Sequence, residues 1–228
     1  MNQREIARLL DVSAVQATST RSEVAACAAM AAEYHCKAVF CLSCFTTFLT
    51  DERERLGGEF LIGGTVGYPS GQMTTAMKGA EARLVLANGA EEIDMMMNIG
   101  FLKSGMDRAV LDDMKAVREI TSPLPMKVII ETPLLTDDEI DRAANLVIDA
   151  GADWIKTGTG WTPTGTTMEH LRIIRSVIER RGATIGLKAA GGVRSLETLL
   201  LMHETYGVGR FGVGKSAKKI LDEIAETE

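Results

Sequence analysis

Two lysines that end short apolar runs are the residues best suited to covalent chemistry. Lys156 ends the run ADWIK, and Lys188 ends the run TIGLK. A lysine amine is nucleophilic only when unprotonated, and an ordinary pKa of ~10.4 leaves about one molecule in 10³ to 10⁴ reactive at pH 7. Burial and a second cation nearby both lower that pKa. Two neighbouring lysines of this kind indicate an amine nucleophile, although each could instead reach solvent or pair with a carboxylate.

A carboxylate interrupts a third apolar run. Asp94 lies inside EEIDMMMNI, where Ile93 and Met95 have the character of buried strand residues. Because a buried, unpaired carboxylate is costly, Asp94 is expected to meet a cation, and one of the two lysines is a suitable partner. Such a pair would move protons beside an imine, whereas the alternative is a structural salt bridge.

Further polar residues stand at or near the ends of other apolar runs and are candidates for the same site. They are Asp11, Asn98, Glu131, Thr157 and Arg194. Glu131 would be the base in an alternative enzyme, an isomerase or lyase that uses acid–base chemistry without a covalent lysine. In that enzyme, Lys156→Arg would retain activity.

Two glycine-rich segments have the character of an anion site. Gly191 and Gly192 precede Arg194, and Gly212 and Gly214 precede Lys215 at the start of the last helical segment. Glycine lets backbone N–H groups approach phosphate oxygens, and a helix N-terminus favours an anion. The pattern predicts a phosphate site, with tight turns after strands as the alternative.

Eight apolar runs alternate with longer amphipathic segments along the chain. The runs are too short for buried helices and are followed by turn residues, which predicts strands at 9–13, 37–42, 60–67, 91–99, 126–131, 152–158, 184–192 and 208–214. The segments between them predict helices at 21–34, 72–88, 106–119, 136–150, 167–181, 195–205 and 215–226. Thr136 followed by Glu139 predicts a capping box at the start of one helix.

Apolar strands alternating with helices are typical of a parallel sheet covered on both faces. Eight such units predict an α/β fold, a single (β/α)8 TIM barrel over residues 1–228. A doubly wound sheet would carry a glycine-rich fingerprint after its first strand, where DVSAVQATST has no glycine. Catalytic groups of a barrel gather at the carboxyl ends of its strands, and Lys156 and Lys188 would stand there on neighbouring strands.

Composition excludes several classes of protein. The chain has 228 residues, of which 46% are hydrophobic and 25% charged, and its net charge of −6 argues against nucleic-acid binding. No apolar run approaches the ~20 residues of a membrane span. The first ten residues, MNQREIARLL, mix charged and apolar residues, so we expect no secretory signal and a cytoplasmic protein with reduced cysteines.

Metal chemistry is not expected. Cys41 and Cys44 form a CxxC pair, but a zinc site would need two more ligands. The three histidines fall in or directly after predicted helical segments, and no HxH or HExxH motif occurs. The sequence therefore predicts amine chemistry on a small-molecule substrate without a metal or other cofactor.

Four segments resemble the deoxyribose-phosphate aldolase family. They are GGTVGYPSGQMTTAMKGAEARLVLANGAEEIDMMMNIG (63–100), KVIIETPLLTDDEI (127–140), AGADWIKTGTGW (150–161) and GLKAAGGVR (186–194). The resemblance runs over nearly the whole chain. It implies a cofactor-free class I aldolase on a (β/α)8 barrel, commonly dimeric or tetrameric, that reversibly cleaves 2-deoxy-D-ribose 5-phosphate to acetaldehyde and D-glyceraldehyde 3-phosphate.

The resemblance also implies roles for individual residues. Lys156 matches the Schiff-base lysine, Lys188 the second lysine that lowers its pKa, and Asp94 the carboxylate that relays protons. Asp11 resembles the aspartate of an Asp-x-Thr motif near the first strand. The positions that match backbone phosphate contacts are Gly160, Gly191, Gly192 and Gly212.

The sequence departs from the family pattern around the expected substrate. Gly158 and Trp161 alter the usual KTSTGF, Ser43-Cys44 replaces the common Asn-Pro, and Gly214-Lys215 replaces hydroxyl residues. These changes leave open a class I aldolase for another short phosphorylated or anionic aldol. A sugar-phosphate-binding barrel with inert lysines is the alternative without catalysis.

Overall fold

The computed structural model describes residues 1–214 and 216–225, in which eight strands form a closed barrel in chain order. The predicted (β/α)8 barrel is thereby confirmed. The strands β1 to β8 are Leu10–Ala14, Ala38–Cys41, Leu61–Val66, Glu92–Met96, Met126–Ile129, Trp154–Lys156, Gly186–Ala190 and Arg210–Val213. All neighbours pair in parallel, and β1 closes the barrel on β8.

Ten helices surround the strands in the described part of the chain. The helices α1 to α10 are Gln3–Ala7, Arg21–Tyr34, Thr46–Leu56, Thr75–Ala87, Ile99–Lys103, Asp107–Thr121, Asp137–Asp149, Met168–Arg181, Leu196–Tyr206 and Ala217–Ala225. The predicted capping box is present at α7, where Thr136 and Glu139 bond each other's backbone N–H groups. None of the helices in this part of the chain is both long and apolar enough to cross a membrane.

Three of these helices were not predicted: α1, α3 and α5. The α3 segment TTFLTDERERL buries only Thr46 and Leu49, so it carries almost no apolar periodicity. The α5 helix begins inside the predicted strand 91–99, because β4 ends at Met96 and the Asn98 side chain caps a new helix. Because the sequence stays hydrophobic from β4 into α5, its pattern did not indicate where the strand ends and the helix begins.

Charged side chains occupy the barrel interior beneath its mouth. Along β4, Ile93 and Met95 join the apolar core, whereas Glu92 and Asp94 alternate with them and enter buried ion pairs. Ion pairs also link Asp94 of β4 with Lys156 of β6 and Lys188 of β7. Branched apolar residues dominate the interior of most such barrels, so this one is unusually polar.

Candidate active site

A cavity of about 840 Å³ opens at the carboxyl ends of the strands. It is lined by ten of the predicted residues: Asp11, Asp94, Lys156, Gly160, Lys188, Gly191, Gly192, Arg194, Gly212 and Gly214. The candidates Asn98, Glu131 and Thr157 do not line it, and Lys215 lies outside the described residues. The sequence thus selected residues from separate strands and loops that meet at one opening.

The two lysines face each other across neighbouring strands and share one carboxylate. Lys156 and Lys188 are register partners in the β6–β7 pair. Their Nζ atoms lie 2.6 and 2.8 Å from Oδ2 of Asp94. The other oxygen, Oδ1, accepts no hydrogen bond from the described residues. Lys156 is 7% exposed and Lys188 1% exposed, so Lys156 is the amine more open to the cavity.

The electrostatic surroundings separate the two amines. Burial lowers the pKa of Lys156 to about 8, with Lys188 acting in the same direction and Asp94 opposing it. Burial also disfavours the charged form of Lys188, but Asp11 and Asp94 outweigh this effect and raise its pKa above the ordinary value. Asp94 is buried, yet Lys156, Lys188 and Lys127 hold its pKa well below the usual range. Of the two amines, Lys156 therefore loses its proton more readily and Lys188 retains it.

Three charged residues that sequence reasoning missed lie in the same barrel interior. Glu92, Lys127 and Arg210 are all 5% exposed or less. Each stands within or at the start of an apolar strand run, which is the same signal that selected Asp94. Buried charges in a strand need partners, so the sequence carried a clue that these positions belong to one group.

Two uncharged residues lie beside the lysine pair. The Thr157 hydroxyl donates to the Ala190 carbonyl and lies 3.0 Å from the Ala190 N–H, which donates to it, so it bridges β6 and β7 beside the lysines. The Phe40 ring centroid lies 4.1 Å from Lys188 Nζ and 5.9 Å from Lys156 Nζ. The ring keeps water from the amines and offers its face to their charge.

The glycine-rich loops after β7 and β8 border the same cavity. Gly191 and Gly192 have φ values of +80° and +95°, which favour glycine and turn the loop tightly. A Cβ at Gly212 would lie only 2.9 Å from the Ala190 Cβ, so glycine is needed for β8 to pass β7 there. Ser216 ties the two loops together by donating to the Val193 carbonyl at 2.9 Å.

Comparison with known proteins decides the family. Residues 5–212 match the family described as DeoC/LacD family aldolase. The chain belongs to the DeoC/LacD aldolase family. It is 44% identical to a deoxyribose-phosphate aldolase of Klebsiella pneumoniae, an alignment that covers 96% of this chain and 88% of that one. A deoxyribose-phosphate aldolase of Sinorhizobium medicae is also 44% identical, over 92% of this chain and 83% of its own.

Solved structures agree with this assignment to the aldolase family. The deoxyribose phosphate aldolase of Aeropyrum pernix, described as having a unique tetrameric structure, superposes with a TM-score of 0.86 at 25% identity. The match covers 100% of this chain and 94% of that one. The chain therefore shares its barrel with a solved deoxyribose phosphate aldolase and up to 44% of its sequence with the relatives above.

The departures Gly158 and Trp161 belong to a hydrogen-bonded loop at the mouth of the aldolase. Glu131 accepts from the Thr159 backbone N–H at 3.0 Å and from the Thr159 hydroxyl at 2.5 Å. A Cβ at Gly158 would lie 2.9 Å from Glu131 Oε1, so the glycine leaves room for this carboxylate. Burial raises the pKa of Glu131. Both of its oxygens are thus occupied by Thr159, and Glu131 is not among the cavity-lining residues.

Trp161 extends this loop across the mouth of the aldolase barrel. Its Nε1–H donates to the Val15 carbonyl at 2.7 Å, which joins the loop after β6 to the loop after β1. Tyr68 meets the Trp161 ring edge-on at 6.1 Å and donates its hydroxyl to the Thr159 carbonyl at 2.7 Å. Sequence reasoning recognised Trp161 as a departure but could not have found its partner, because 146 positions separate it from Val15.

Asn98 and the Cys41–Cys44 pair, also considered from the sequence, are not part of the cavity. The Asn98 side chain accepts from the Phe101 N–H at 3.0 Å as the cap of α5. Cys41 is buried in β2, Cys44 is exposed, and both are free thiols. Within residues 1–214 and 216–225, no group of three or more His, Cys, Asp and Glu side chains is arranged to hold a metal ion.

Proposed function

We propose that this aldolase uses Lys156 as a Schiff-base nucleophile to cleave 2-deoxy-D-ribose 5-phosphate reversibly into acetaldehyde and D-glyceraldehyde 3-phosphate. One observation carries the proposal. The Lys156 amine borders the cavity, lies 2.6 Å from Asp94 and has Lys188 as its register partner. Burial that lowers its pKa to about 8 leaves about one molecule in ten with a free amine at pH 7. The names of the relatives support the choice of substrate.

The reaction begins with attack of the unprotonated Lys156 amine on the aldehyde carbon of the substrate. The carbinolamine loses water to become a protonated imine, which is an electron sink. Removal of the proton from the substrate's C3 hydroxyl then breaks the C2–C3 bond, which releases carbons C3 to C5 as D-glyceraldehyde 3-phosphate and leaves C1 and C2 as an enamine on Lys156. Protonation of the enamine carbon and hydrolysis of the imine release acetaldehyde and restore the amine.

Asp94 and Lys188 are proposed to move the protons of these steps. Asp94 Oδ2 contacts both amines, so a proton leaving one nitrogen has a nearby acceptor. Its Oδ1 is buried and lies 3.6 Å from Lys127 Nζ, so Oδ2 is the oxygen proposed to carry a proton between the two amines. Before substrate binds, the charged Lys188 disfavours protonation of the Lys156 amine and so keeps more of it nucleophilic.

The glycine-rich loops are proposed to hold the phosphate. Gly160, Gly191, Gly192 and Gly212 would offer backbone N–H groups, and exposed Arg194 would add positive charge. Asp11, which also lines the cavity, pairs with Lys188 at 2.7 Å. Its proposed role is therefore to hold Lys188 in its charged form, beside any contact that it makes with substrate. Gly214 and Lys215 complete the proposed anion site.

Borohydride trapping tests the proposal. The protein is reduced in the presence of acetaldehyde or 2-deoxyribose 5-phosphate, and its peptides are mapped by mass spectrometry. We expect a substrate-dependent secondary amine on Lys156 that is absent from Lys156→Ala. An adduct on Lys188 alone, or full activity in Lys156→Arg, would contradict it. The latter result would support the isomerase or lyase alternative, which the two Thr159 contacts of Glu131 disfavour.

A second candidate substrate follows from the loop after β8. Gly212, Val213 and Gly214 offer no side-chain hydroxyl to an anion, so another short phosphorylated or anionic aldol could be preferred. The double variant Gly214→Ser/Lys215→Ser separates the two. A Cβ at Gly214 would lie 3.6 Å from the Ser13 carbonyl oxygen, so a serine fits. If the variant has a higher ratio of activity on phosphorylated to plain deoxyribose than the parent, 2-deoxyribose 5-phosphate is supported as the substrate.

We also propose that the protein is a single-domain, cytoplasmic homo-oligomer. The tetrameric description of the Aeropyrum pernix relative supports the oligomer. Size-exclusion chromatography with light scattering measures the mass in solution, which is compared with the chain mass of 24.6 kDa. A species of one chain mass at working concentrations would contradict the oligomer.

A further inference from the structure

Buried ion pairs continue from Lys188 away from the nucleophile. Lys188 Nζ lies 2.8 Å from Asp94 Oδ2 and 2.7 Å from Asp11 Oδ2, so it joins two carboxylates. Arg210 contacts the other oxygen of Asp11, with its Nε at 2.8 Å from Oδ1. These four residues come from β7, β4, β1 and β8, and Arg210 contacts neither Lys156 nor Asp94 among the ion pairs of the described residues.

The chain of ion pairs returns to its starting point. Arg210 Nη2 lies 2.7 Å from Glu92 Oε1, and Lys127 Nζ lies 2.9 Å from Glu92 Oε2. Lys127 Nζ is also 3.6 Å from Asp94 Oδ1. The contacts therefore close into a circuit of alternating charge, which we call the charge ring: Asp94, Lys188, Asp11, Arg210, Glu92 and Lys127.

The charge ring is neutral by itself, with three carboxylates and three cations. Lys156 stands outside it and is attached only through Asp94 in the described ion pairs. A proton on Lys156 therefore gives a buried group of seven residues a net charge of +1, whereas the free amine leaves it neutral. Since an uncompensated charge is costly in a low-dielectric interior, this count favours the free amine.

We propose that the net charge of the ring, including Glu92, Lys127 and Arg210 on its far side, determines whether Lys156 carries a proton. These three residues are positioning residues rather than catalytic ones, because they act through Asp94 and Lys188. The inference rests on Lys156 being the nucleophile of the proposed function. It adds residues from β4, β5 and β8 that have no contact with the cavity opening.

The other groups around Lys156 do not change this count. The β2 and β3 strands contribute Phe40 and Thr65, which are uncharged. Beyond the ring, Glu131 and Tyr68 both bond Thr159. The cavity wall also carries Glu23, Cys27, Arg194 and Lys219, which are all at least partly exposed, so water screens their charges far more than those of the buried ring. Burial raises the pKa of Glu131, and the two hydrogen bonds from Thr159 act in the opposite direction.

One competing possibility lies within the ring itself. Burial lowers the pKa of Lys127 as well as that of Lys156. Lys127 contacts two carboxylates, Glu92 and Asp94, whereas Lys156 contacts one. Lys127 also lies 5.0 Å from the centroid of the Phe40 ring. These contacts stabilise the charged form of Lys127 more than that of Lys156, so Lys156 is the lysine expected to lose its proton. Labelling each lysine separately distinguishes the two.

The test removes one positive charge from the far side of the ring. In Lys127→Met and, separately, Arg210→Met, the ring has a net charge of −1, and a protonated Lys156 restores neutrality. The pKa of Lys156 is measured by trace acetylation over a range of pH, with the label on each lysine quantified by mass spectrometry. We expect the Lys156 midpoint to rise by about one pH unit or more, which is tenfold less free amine at pH 7.

A compensating double variant separates charge from structure. Lys127→Met/Glu92→Gln removes one charge of each sign and leaves a neutral remainder, so the Lys156 midpoint is expected to return toward the parent value. A purely structural role would make the double variant worse than the single one. Lys103→Met is the matched control, because it removes an equal charge from an exposed ion pair with Glu139. It is expected to leave the midpoint unchanged.

The outcomes decide the proposal independently of the enzyme's activity. An unchanged midpoint in both Lys127→Met and Arg210→Met, with both proteins folded by circular dichroism, would overturn it. A shift in Arg210→Met but not in Lys127→Met would show that Lys127 is the neutral member of the group and would equally overturn it. Shifts as expected, but without a borohydride adduct on Lys156, would uphold the ring and reject the proposed function.

Discussion

The acidic limb of the pH–rate profile is the most direct prediction for the nucleophile. The folded protein lowers the pKa of Lys156 from 10.5 to about 8 through burial. Lowering the pH from 8 to 6 therefore reduces the free-amine fraction from about one half to about one in a hundred, a ~50-fold loss. The sign follows from the chemistry: the protonated form is inert, so the rate rises with pH and levels above about pH 8.

The assay must not confuse the amine with the substrate. A phosphate monoester has a second pKa of about 6, which would bend the same limb. Plain 2-deoxyribose has no group that titrates there, so kcat/KM for this sugar is followed from pH 5.5 to 9.5 by quenched samples and chromatography of acetaldehyde. Constant ionic strength keeps screening equal at each pH.

Two results would refute the reasoning about Lys156. One is a rate that stays level between pH 6 and 8, which would mean that the amine is free throughout. The other is a limb that keeps rising to pH 10, which would mean an unperturbed lysine. In Lys188→Met, which removes a like charge from beside the nucleophile, the limb is expected to move to higher pH. Movement to lower pH would contradict the assigned cause.

Three substitutions test other contacts. Gly191→Ala places a side chain at φ +80°, with a cost of roughly 1–2 kcal/mol in urea unfolding, and should raise KM for the phosphorylated sugar more than for the plain one. An equal rise for both sugars would disprove phosphate binding there. Trp161→Phe removes the bond to Val15 and should lower stability by about 1 kcal/mol. Thr136→Ala should cost about 1 kcal/mol of unfolding free energy without changing kcat, and a changed kcat would refute its purely local role.

The features that local sequence expresses strongly were predictable. The alternation of short apolar runs with amphipathic segments predicted the barrel, and the Thr136 capping box predicted the start of α7. Lys156 and Lys188 were predicted as site residues because a lysine at the carboxyl end of a barrel strand lies at the mouth of the barrel. Their placement on neighbouring strands was predicted, whereas their exact register was observed only in the structure.

The features that depend on distant partners were not predictable. Arg210 and Asp11 are 199 positions apart, and no short pattern joins them. A charged residue inside a strand run shows that it needs a partner but does not identify that partner. The α3 helix was missed for the opposite reason, since it buries so little that its sequence lacks an amphipathic stripe.

The charge ring restricts which substitutions this barrel can accept during evolution. Loss of one member by mutation strands an opposite charge in the interior, and breaking a buried pair in this way costs about 3–5 kcal/mol. Much of the stability of a typical domain would be lost in that single step. A change at Glu92 is therefore tolerated chiefly together with a change at Lys127 or Arg210. Substitutions at these positions in related barrels should accordingly occur as coupled pairs, which would leave a covariation signal between β4, β5 and β8.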